Sequence, residues 1–374
     1  MSRLLFLARS LETGGAERQL TVTAQALKRM GHEVHVAVFY SGGAFEKDMA
    51  EAGIPVVRLN KKGRWDTAGF AARLVKTVRS IKPSAVLSYL GPPNIMAASL
   101  KPFFGGAKVI WSVRASFMDL SRYDWLTGFS YTLERGLVTF ADRVIVNSKA
   151  GMAILADKGY PAARLSVVPN GIDTQMFRPD REAGAKVRAE LGYSQNDKVV
   201  GLAARLDPMK DHPTFLHAAK IMLNARPGLR FLIVGGGPEE YFEKMRKLAA
   251  ELGLGAAVTF TGERSDMPAL YNAMDIAALS SIGEGFPNAV GEAMACGVPC
   301  VATDVGDAAW IAGETGIIVP PKNPEALSKG IMEMLARMES NRDAVSGKAR
   351  ERIAKMFGVE AMAAQTLRVI EEAR

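Results

Sequence analysis

The chain has 374 residues, of which 48% are hydrophobic and 23% charged; this suits two domains with separate cores and excludes a fibrous or disordered chain. Its formal charge of +8 is uneven, because residues 1–178 carry 24 Lys and Arg against 13 Asp and Glu, whereas residues 179–374 carry 23 against 26. Every apolar run is shorter than the ~20 residues of a membrane span, and residues 4–8 are too few for a signal peptide.

Short apolar runs alternate with longer amphipathic segments in the first half of the chain, a pattern typical of repeated β-α units around a parallel sheet. Several runs are apolar at every position, as expected of strands covered by helices on both faces. The predicted strands are residues 4–8, 34–39, 56–59, 85–88, 109–113, 144–147 and 165–168. The predicted helices include residues 16–30, 67–81 and 126–139.

This alternation pauses at VVPNGIDTQMFRPD, where Pro169, Gly171 and Pro179 interrupt both periods, and resumes at Lys198. Strands then follow at residues 199–203, 231–234, 258–260, 276–279, 300–303 and 316–319, with helices at 213–225, 239–252, 289–295 and 324–338. The pattern predicts an α/β protein of two Rossmann-like, doubly wound domains, 1–178 and 179–358. Such sheets bind ligands at the carboxyl ends of their strands, so we expect the active site in the cleft between the two domains.

The first strand is followed by SLETGGAERQL, in which Gly14 and Gly15 permit close approach of the backbone to a ligand. The amides that open the next helix could face an anion, and we assign Gly14 and Gly15 to donor binding. A tight turn without a binding role is the alternative. The segment is not a G-x-G-x-x-G dinucleotide fingerprint.

In the second half, LAARLDPMKD places Arg205 and Lys210 after a strand. An Arg fork and a Lys point charge can neutralise a departing nucleoside diphosphate without a metal ion. Isolated surface cations are the alternative reading.

The segment EGFPNAVGE contains Glu284 on a loop and Glu292 further along the following helix. Carboxylates on both sides of a helix N-terminus can bind hydroxyls while the free amides bind phosphate, which suits a nucleotide sugar. The alternative is a solvated acidic helix face.

Residues with metal or redox chemistry are few. Cys296 and Cys300 are expected to be buried, reduced thiols of a cytoplasmic protein. No Asp-x-Asp occurs, and the four histidines form no known site signature, so we expect neither a metal nor a cofactor. These histidines are His32, His35, His212 and His217.

With these residues in hand, the chain resembles the retaining glycosyltransferases of the GT-B fold, family 4 (group 1), over nearly its whole length. The likeness includes the ETGGAE loop, VVPNGID, the Arg205 and Lys210 pair, and Glu284 with Glu292 followed by AMACGVPCVATDVG. It implies that Glu284, Arg205 and Lys210 are catalytic, with Glu284 at the donor sugar and both cations at the diphosphate. It also implies that Glu292 binds the ribose and that residues 359–374 form a last helix packed on the first domain.

Further donor contacts follow from the same resemblance. The amides of the loop before the helix would bind phosphate and sugar, and Arg264 would flank the base; the loop residues are Gly285, Phe286, Pro287 and Asn288. Many relatives have a histidine near the position of Arg114, so Arg114 becomes the candidate contact for the acceptor or leaving group. The strings WSVRAS and MDLSRYDW resemble bacterial members that build exopolysaccharide or lipid-linked glycans.

The expected function is therefore transfer of a hexosyl group from a UDP- or GDP-sugar to an acceptor hydroxyl with retention, giving an α-linkage. The acceptor would be a lipid-linked or polysaccharide-precursor glycan. A sugar-nucleotide epimerase of the same fold and a non-catalytic nucleotide-sugar sensor are the alternatives.

The basic first half suggests an anionic partner, either anionic lipid or a pyrophosphate-bearing acceptor, rather than nucleic acid, and a basic surface kept for solubility is the alternative. We expect a cytoplasmic chain that associates peripherally with the membrane. Six basic residues are the candidate membrane contacts: Lys61, Lys62, Arg64, Arg73, Lys76 and Arg79.

Overall fold

The computed structural model describes residues 1–63, 65–114, 132–194 and 196–373. The chain divides into two compact units, Met1–Gly171 with Val359–Arg374, and Ile172–Gly358. The division falls seven residues before the boundary expected from the sequence, because the Ile172 amide donates to the carbonyl of Phe357 (2.8 Å). Phe177 is likewise buried in the second unit, where its ring packs on Tyr271.

The first unit is built on a seven-stranded parallel sheet with the order β3-β2-β1-β4-β5-β6-β7. Its strands are β1 (Arg3–Ala8), β2 (Glu33–Val38), β3 (Val56–Arg58), β4 (Ala85–Tyr89), β5 (Lys108–Val113), β6 (Arg143–Val146) and β7 (Leu165–Val167). Its helices are α1 (Gly15–Arg29), α2 (Phe45–Glu51), α3 (Ala68–Ile81), α4 (Gly91–Leu100), α5 (132–137), α6 (Lys149–Asp157) and, from the end of the chain, α14 (Val359–Glu371).

The second unit repeats this plan with six parallel strands in the order β10-β9-β8-β11-β12-β13. The strands are β8 (Lys198–Ala203), β9 (Leu229–Val234), β10 (Val258–Phe260), β11 (Ile276–Leu279), β12 (Cys300–Thr303) and β13 (Ile317–Val319). The helices are α7 (Arg181–Glu190), α8 (His212–Ala225), α9 (Glu239–Glu251), α10 (Met267–Ala273), α11 (Asn288–Ala295), α12 (Ala308–Ala312) and α13 (Pro324–Met356).

The two Rossmann-like sheets confirm the predicted fold class, and the reason is visible in β1. Leu4 and Phe6 pack into one hydrophobic cluster, whereas Leu5 and Leu7 pack into another. A strand covered by helices on both faces needs apolar residues at every position. All thirteen predicted strands therefore occur within two residues of their expected bounds.

One helix, α13, is longer than expected, and one predicted helix, 126–139, is described only in part. Helix α13 was expected to end at residue 338 but continues to Met356, with non-helical dihedral angles at Asn341 (φ −155°, ψ 79°). The Asn341 side chain accepts a hydrogen bond from the amide of Ala344, so it begins a second helical segment. Of the predicted helix 126–139, residues 126–131 lie outside the described residues.

The last helix, α14, belongs to the first unit, where it packs against α1. Thr23 of α1 contacts the sulfur of Met362 (3.5 Å). Within the described ranges, no helix combines the length and apolar character needed to cross a membrane.

Candidate functional site

In the second unit the strand order reverses between β8 and β11, so the loops that follow these two strands lie side by side at the carboxyl edge of the sheet. Hydrogen bonds join the two loops. The Ile282 amide donates to the carbonyl of Met209 (2.9 Å), and the Ser280 hydroxyl donates to the carbonyl of Lys210 (2.8 Å). The fold thus brings together two segments that are about 70 residues apart in sequence.

Lys210 and Glu284 form an ion pair at this junction. The Nζ atom of Lys210 lies 2.6 Å from Oε1 of Glu284, and the hydroxyl of Ser281 donates to the same oxygen at 2.7 Å. Both charged side chains are largely buried. The Glu284 carboxylate is therefore held in one orientation by a cation and a hydroxyl from two different loops.

Gly306 supports the backbone on which Glu284 is carried. Its φ is +55°, and a Cβ atom at this position would lie 2.5 Å from the carbonyl oxygens of both Glu284 and Gly285. The Asp307 amide donates to the Gly285 carbonyl at 2.9 Å. Only glycine fits such a close approach at a positive φ without strain, so the DVG sequence after β12 fixes the position of the loop.

The loop residues contribute to the site unequally. Phe286 is buried, with its ring 5.8 Å from that of Phe357 in the core, so its side chain cannot contact a donor. Pro287 has no N–H group and cannot donate to phosphate. The expected row of amides from Gly285 to Asn288 is therefore corrected to those of Gly285, Phe286 and Asn288.

Glu292 lies in the second turn of α11, and a buried side chain of α10 binds its carboxylate. The hydroxyl of Tyr271 donates to Oε2 of Glu292 at 3.1 Å. Complete burial, and next the nearby Glu292 charge, raise the pKa of Tyr271 well above its ordinary value, so the hydroxyl remains a donor at neutral pH. Tyr271 was not named as a site residue from the sequence, and its contact with Glu292 was not predicted.

A cavity of about 430 Å³ lies beside Glu292 at the carboxyl ends of β8 and β9. Arg205, Arg264 and Glu292, all expected at the donor site, line it together. The other lining residues are Ala203, Ala204, Val234, Gly235, Gly236, Gly237, Glu263, Met267, Tyr271 and Ala289. A Cβ atom at Gly235 would clash with the carbonyl of Ala204, so the VGGG turn, which sequence reasoning did not single out, allows the two loops to close the cavity wall.

The two arginines of the cavity differ in their partners. The Arg264 guanidinium contacts Glu190 at 2.5 Å and Asp266 at 2.7 Å, and these hydrogen bonds lower the pKa of both carboxyls. Arg205 is exposed, and it makes no hydrogen bond or ion pair with any residue that the structure describes. Arg205 therefore offers an uncompensated charge to an anion, whereas Arg264 offers mainly the flat face of its guanidinium group.

The remaining candidates lie in the first unit. Gly14 is the N-cap of α1, has an extended backbone (φ −169°), and is approached closely by the carboxylate of Glu17. Arg114 follows β5; its Nη1 atom donates to Oδ1 of Asn170 at 2.6 Å and its guanidinium lies 5.3 Å from the ring centre of Tyr89. The VPNGID motif thus supplies, through Asn170, the partner that orients Arg114.

Buried titratable groups near the site show little sign of reactivity. Burial lowers the pKa of His212 to about 4 and raises that of Cys296 to about 12, so His212 is neutral and Cys296 is a thiol at neutral pH. Cys300 is buried and its pKa is also raised. In the part of the chain that the structure describes, no group of three or more His, Cys, Asp and Glu residues is arranged to hold a metal ion.

Two family models match the chain, one in each half. The model described as Glycosyltransferase Family 4 matches residues 13–176, and that described as Glycosyl transferases group 1 matches residues 197–337. The chain belongs to the family 4 glycosyltransferases. This family member is 35% identical over 213 residues to a D-inositol 3-phosphate glycosyltransferase of Mycobacteroides abscessus, covering 54% of this chain and 46% of the relative. The chain thus matches about half the length of the curated relatives.

Solved structures extend the similarity to nearly the whole chain. HepE of Anabaena in complex with UDP aligns over 99% of both chains with 24% identity and a TM-score of 0.84. Sucrose-phosphate synthase of Thermosynechococcus elongatus aligns over 99% of this family member and 98% of its own chain, with 21% identity and a TM-score of 0.78. These similarities show that the chain has the GT-B fold.

Proposed function

We propose that this family member transfers a hexosyl group from a UDP-sugar to an acceptor hydroxyl with retention of configuration, giving an α-linkage. The observation that carries the proposal is the arrangement at the carboxyl edge of the second sheet. There, unpaired Arg205 and carboxylate-bearing Glu292 share a 430 Å³ cavity, and the adjoining loops hold Lys210 against Glu284.

The placement of the donor follows from charge and hydrogen-bonding capacity. The diphosphate is bound by Arg205 and Lys210, because these are the cations of the site whose charge is uncompensated or shared with one carboxylate. The carboxylate of Glu284 accepts hydrogen bonds from hydroxyls of the transferring sugar, and that of Glu292 accepts them from the ribose hydroxyls. The base packs along the Arg264 side of the cavity, where two carboxylates already occupy the edges of the guanidinium group.

In the proposed reaction the bond between the anomeric carbon and the diphosphate oxygen breaks, and a bond to the acceptor oxygen forms on the same face of the sugar. The acceptor proton passes to the departing diphosphate, so the protein needs no separate base. Charge builds on the diphosphate as its bond breaks, and Arg205 and Lys210 stabilise that charge.

The choice of nucleotide and acceptor draws on the relatives. HepE has been crystallised with UDP-glucose, so we propose a UDP-sugar, with GDP-sugars as the comparison. The acceptor is a hydroxyl of a lipid-linked or polysaccharide-precursor glycan, and the basic first half suits one that carries phosphate. Inositol 3-phosphate, named for the curated relatives, is the first small acceptor to test. We place the reaction in the cytoplasm, where Cys296 and Cys300 stay reduced.

We propose that the reaction needs no metal ion. The Lys210 ammonium lies where a divalent cation would bind Oε1 of Glu284, and a metal there would be repelled by that charge. Turnover should therefore be unchanged in EDTA. A requirement for Mg²⁺ or Mn²⁺ that EDTA abolishes would overturn this part of the proposal.

The primary experiment is a thermal-shift panel of UDP, GDP, UDP-glucose and GDP-sugars. A ligand at 100 times its dissociation constant should add about 2.7 kcal/mol of stability. Product formation is then followed with the best donor, and proton NMR of the product reports the anomeric configuration. Donor conversion without an acceptor would indicate an epimerase, and tight donor binding without transfer to any acceptor would indicate a sensor.

Three single substitutions test the site assignment. Arg205→Ala, Lys210→Ala and Glu284→Ala should each lower turnover about 100- to 1,000-fold with the fold intact. Arg181→Ala is the matched control, because Arg181 is an exposed cation of the same unit whose nearest carboxylate is 3.7 Å away. Near-normal transfer by all three variants would show that the site is elsewhere.

A further inference from the structure

Helix α3 presents a basic face to the surface of the first unit. Its inward residues Phe70, Leu74 and Val78 are buried in the core, spaced four residues apart. The helix contains three basic residues and no acidic one. Lys76 and Arg79 lie on its exposed side.

An open apolar groove runs along this side of α3. It has a volume of about 540 Å³ and is lined by Ala71, Ala72, Val75, Lys76, Arg79, Leu100 and Phe103. Phe103 is 51% exposed, and its carbonyl accepts a hydrogen bond from Nε of Arg79 at 3.0 Å. Apolar atoms therefore form the floor of the groove, and two cations stand at its rim.

An exposed tryptophan lies at the N-terminal end of the same helix. Trp65 is 89% exposed, and its neighbour Asp66 is bound by the guanidinium group of Arg73. The loop that carries Trp65 is thus tied to α3. We call the residues Trp65, Ala72, Val75, Lys76, Arg79 and Phe103 the α3 patch.

We propose that the α3 patch binds the surface of a bilayer that contains anionic lipid. The two cations are complementary to lipid phosphates. Trp and exposed Phe rings suit the boundary between headgroups and acyl chains, where an aromatic side chain can be partly apolar and partly wet. An acidic protein would satisfy the cations but gives no reason for an exposed Phe ring in a shallow apolar groove, or for an exposed Trp ring just before the same helix.

The structure also reduces the set of basic residues that the sequence nominated. Arg73 is occupied by Asp66 and by the carbonyl of Leu59, and the ammonium group of Lys61 donates to the carbonyl of Gly63. Arg64 lies outside the described residues. Lys62 is exposed but does not line the groove, whereas Lys76 and Arg79 do. These two are the cations with which the proposal is tested.

The test is co-sedimentation of the full chain with vesicles of phosphatidylcholine alone or with 30% phosphatidylglycerol, at low and high salt. We expect binding to the anionic vesicles only, weakening as salt rises. The variant Lys76→Gln/Arg79→Gln should bind about 25-fold more weakly, because each cation near an anionic membrane contributes about five-fold in affinity. Trp65→Ala and Phe103→Ala should also weaken binding, and this loss should persist at high salt.

The matched control is Lys186→Gln/Lys247→Gln, which makes the same change in net charge on exposed helices of the second unit. Equal weakening by the control and patch variants would show that only net charge matters and would overturn the proposal. No vesicle binding by the unmodified chain, or equal binding to both vesicle types, would do the same. UDP affinity and the unfolding midpoint should be unchanged in the patch variants, so this outcome is independent of the proposed transfer reaction.

Discussion

Gly306 offers a test of the site that leaves every proposed donor contact chemically intact. The substitution Gly306→Ala adds one methyl group behind the loop that carries Glu284. That methyl would lie 2.5 Å from the carbonyl oxygens of Glu284 and Gly285, closer than a Cβ atom can approach an oxygen. The loop must therefore move, and Glu284 must move with it.

The expected size of the effect has two parts. An alanine held at the positive φ of Gly306 costs about 1–2 kcal/mol of stability through backbone strain alone. Relief of the contact then shifts the loop by several tenths of an ångström or more, and a misplacement of about 1 Å at a catalytic centre can cost about 100-fold in rate. We expect a loss of turnover near that value.

Gly192→Ala serves as a control that separates the cost of backbone strain from the effect of moving the loop. Gly192 lies in the same unit with a similar φ of +71°, but a Cβ atom there would meet nothing within 4 Å. Gly192→Ala should therefore lose stability through backbone strain but bind the donor normally. Calorimetric titration with UDP and a UDP-sugar gives both affinities, and chemical denaturation gives stability.

The substitution should change the affinities for UDP-sugar and for UDP to different extents. Gly306→Ala should weaken the UDP-sugar by about ten-fold or more, the value of one hydrogen bond to a charged group. UDP alone should be affected less, since Glu284 is assigned to the sugar. Sugar binding and turnover within three-fold of the unmodified chain, with the strain cost present, would refute the placement of Glu284.

Three further substitutions test individual contacts. Tyr271→Phe should weaken UDP and UDP-sugars alike by about ten-fold, because Glu292 loses a hydrogen bond that holds its carboxylate; unchanged titration curves would contradict this. Because burial lowers the pKa of His212 to about 4 from an ordinary 6.5, its stabilising contribution is complete above pH 6.5 and is lost as pH falls toward 4. From pH 7.5 to 5 the free energy of unfolding should therefore fall about 2 kcal/mol further in the unmodified chain than in His212→Phe, measured by denaturation. Arg114→Lys keeps the charge but cannot reproduce the guanidinium contact with Asn170, so transfer should fall about ten-fold with UDP affinity unchanged.

The sheets could be predicted from the sequence because a strand that is buried on both faces has apolar residues at consecutive positions. Val199 and Val200 in β8 face different hydrophobic clusters, so no polar position interrupts the run. The end of α13 could not be predicted in the same way. Beyond residue 338 the helix is largely exposed, and the apolar spacing that marks a buried face fades there, although the backbone resumes a helix after Asn341.

From the residues themselves, the candidate site was indicated mainly where side chains carry charge. Arg205, Lys210, Glu284 and Glu292 stand out because ionised side chains beside glycines at strand ends require an explanation. Tyr271 and Gly306 carry no such signal. Their importance depends on a contact across about 20 residues of sequence, 21 for Tyr271 with Glu292, and such contacts exist only once the chain is folded.

The two glutamates differ in what holds them, and this difference supports two tasks. Oε1 of Glu284 accepts from Lys210, a flexible cation that a diphosphate would attract, and a shift of Lys210 would leave this oxygen for a sugar hydroxyl. Oε2 of Glu292 accepts from Tyr271, a buried hydroxyl that cannot be drawn away. The affinity ratio of UDP-sugar to UDP should therefore change in Lys210 variants and stay constant in Tyr271 variants, because only Glu284 is coupled to the charge of the donor.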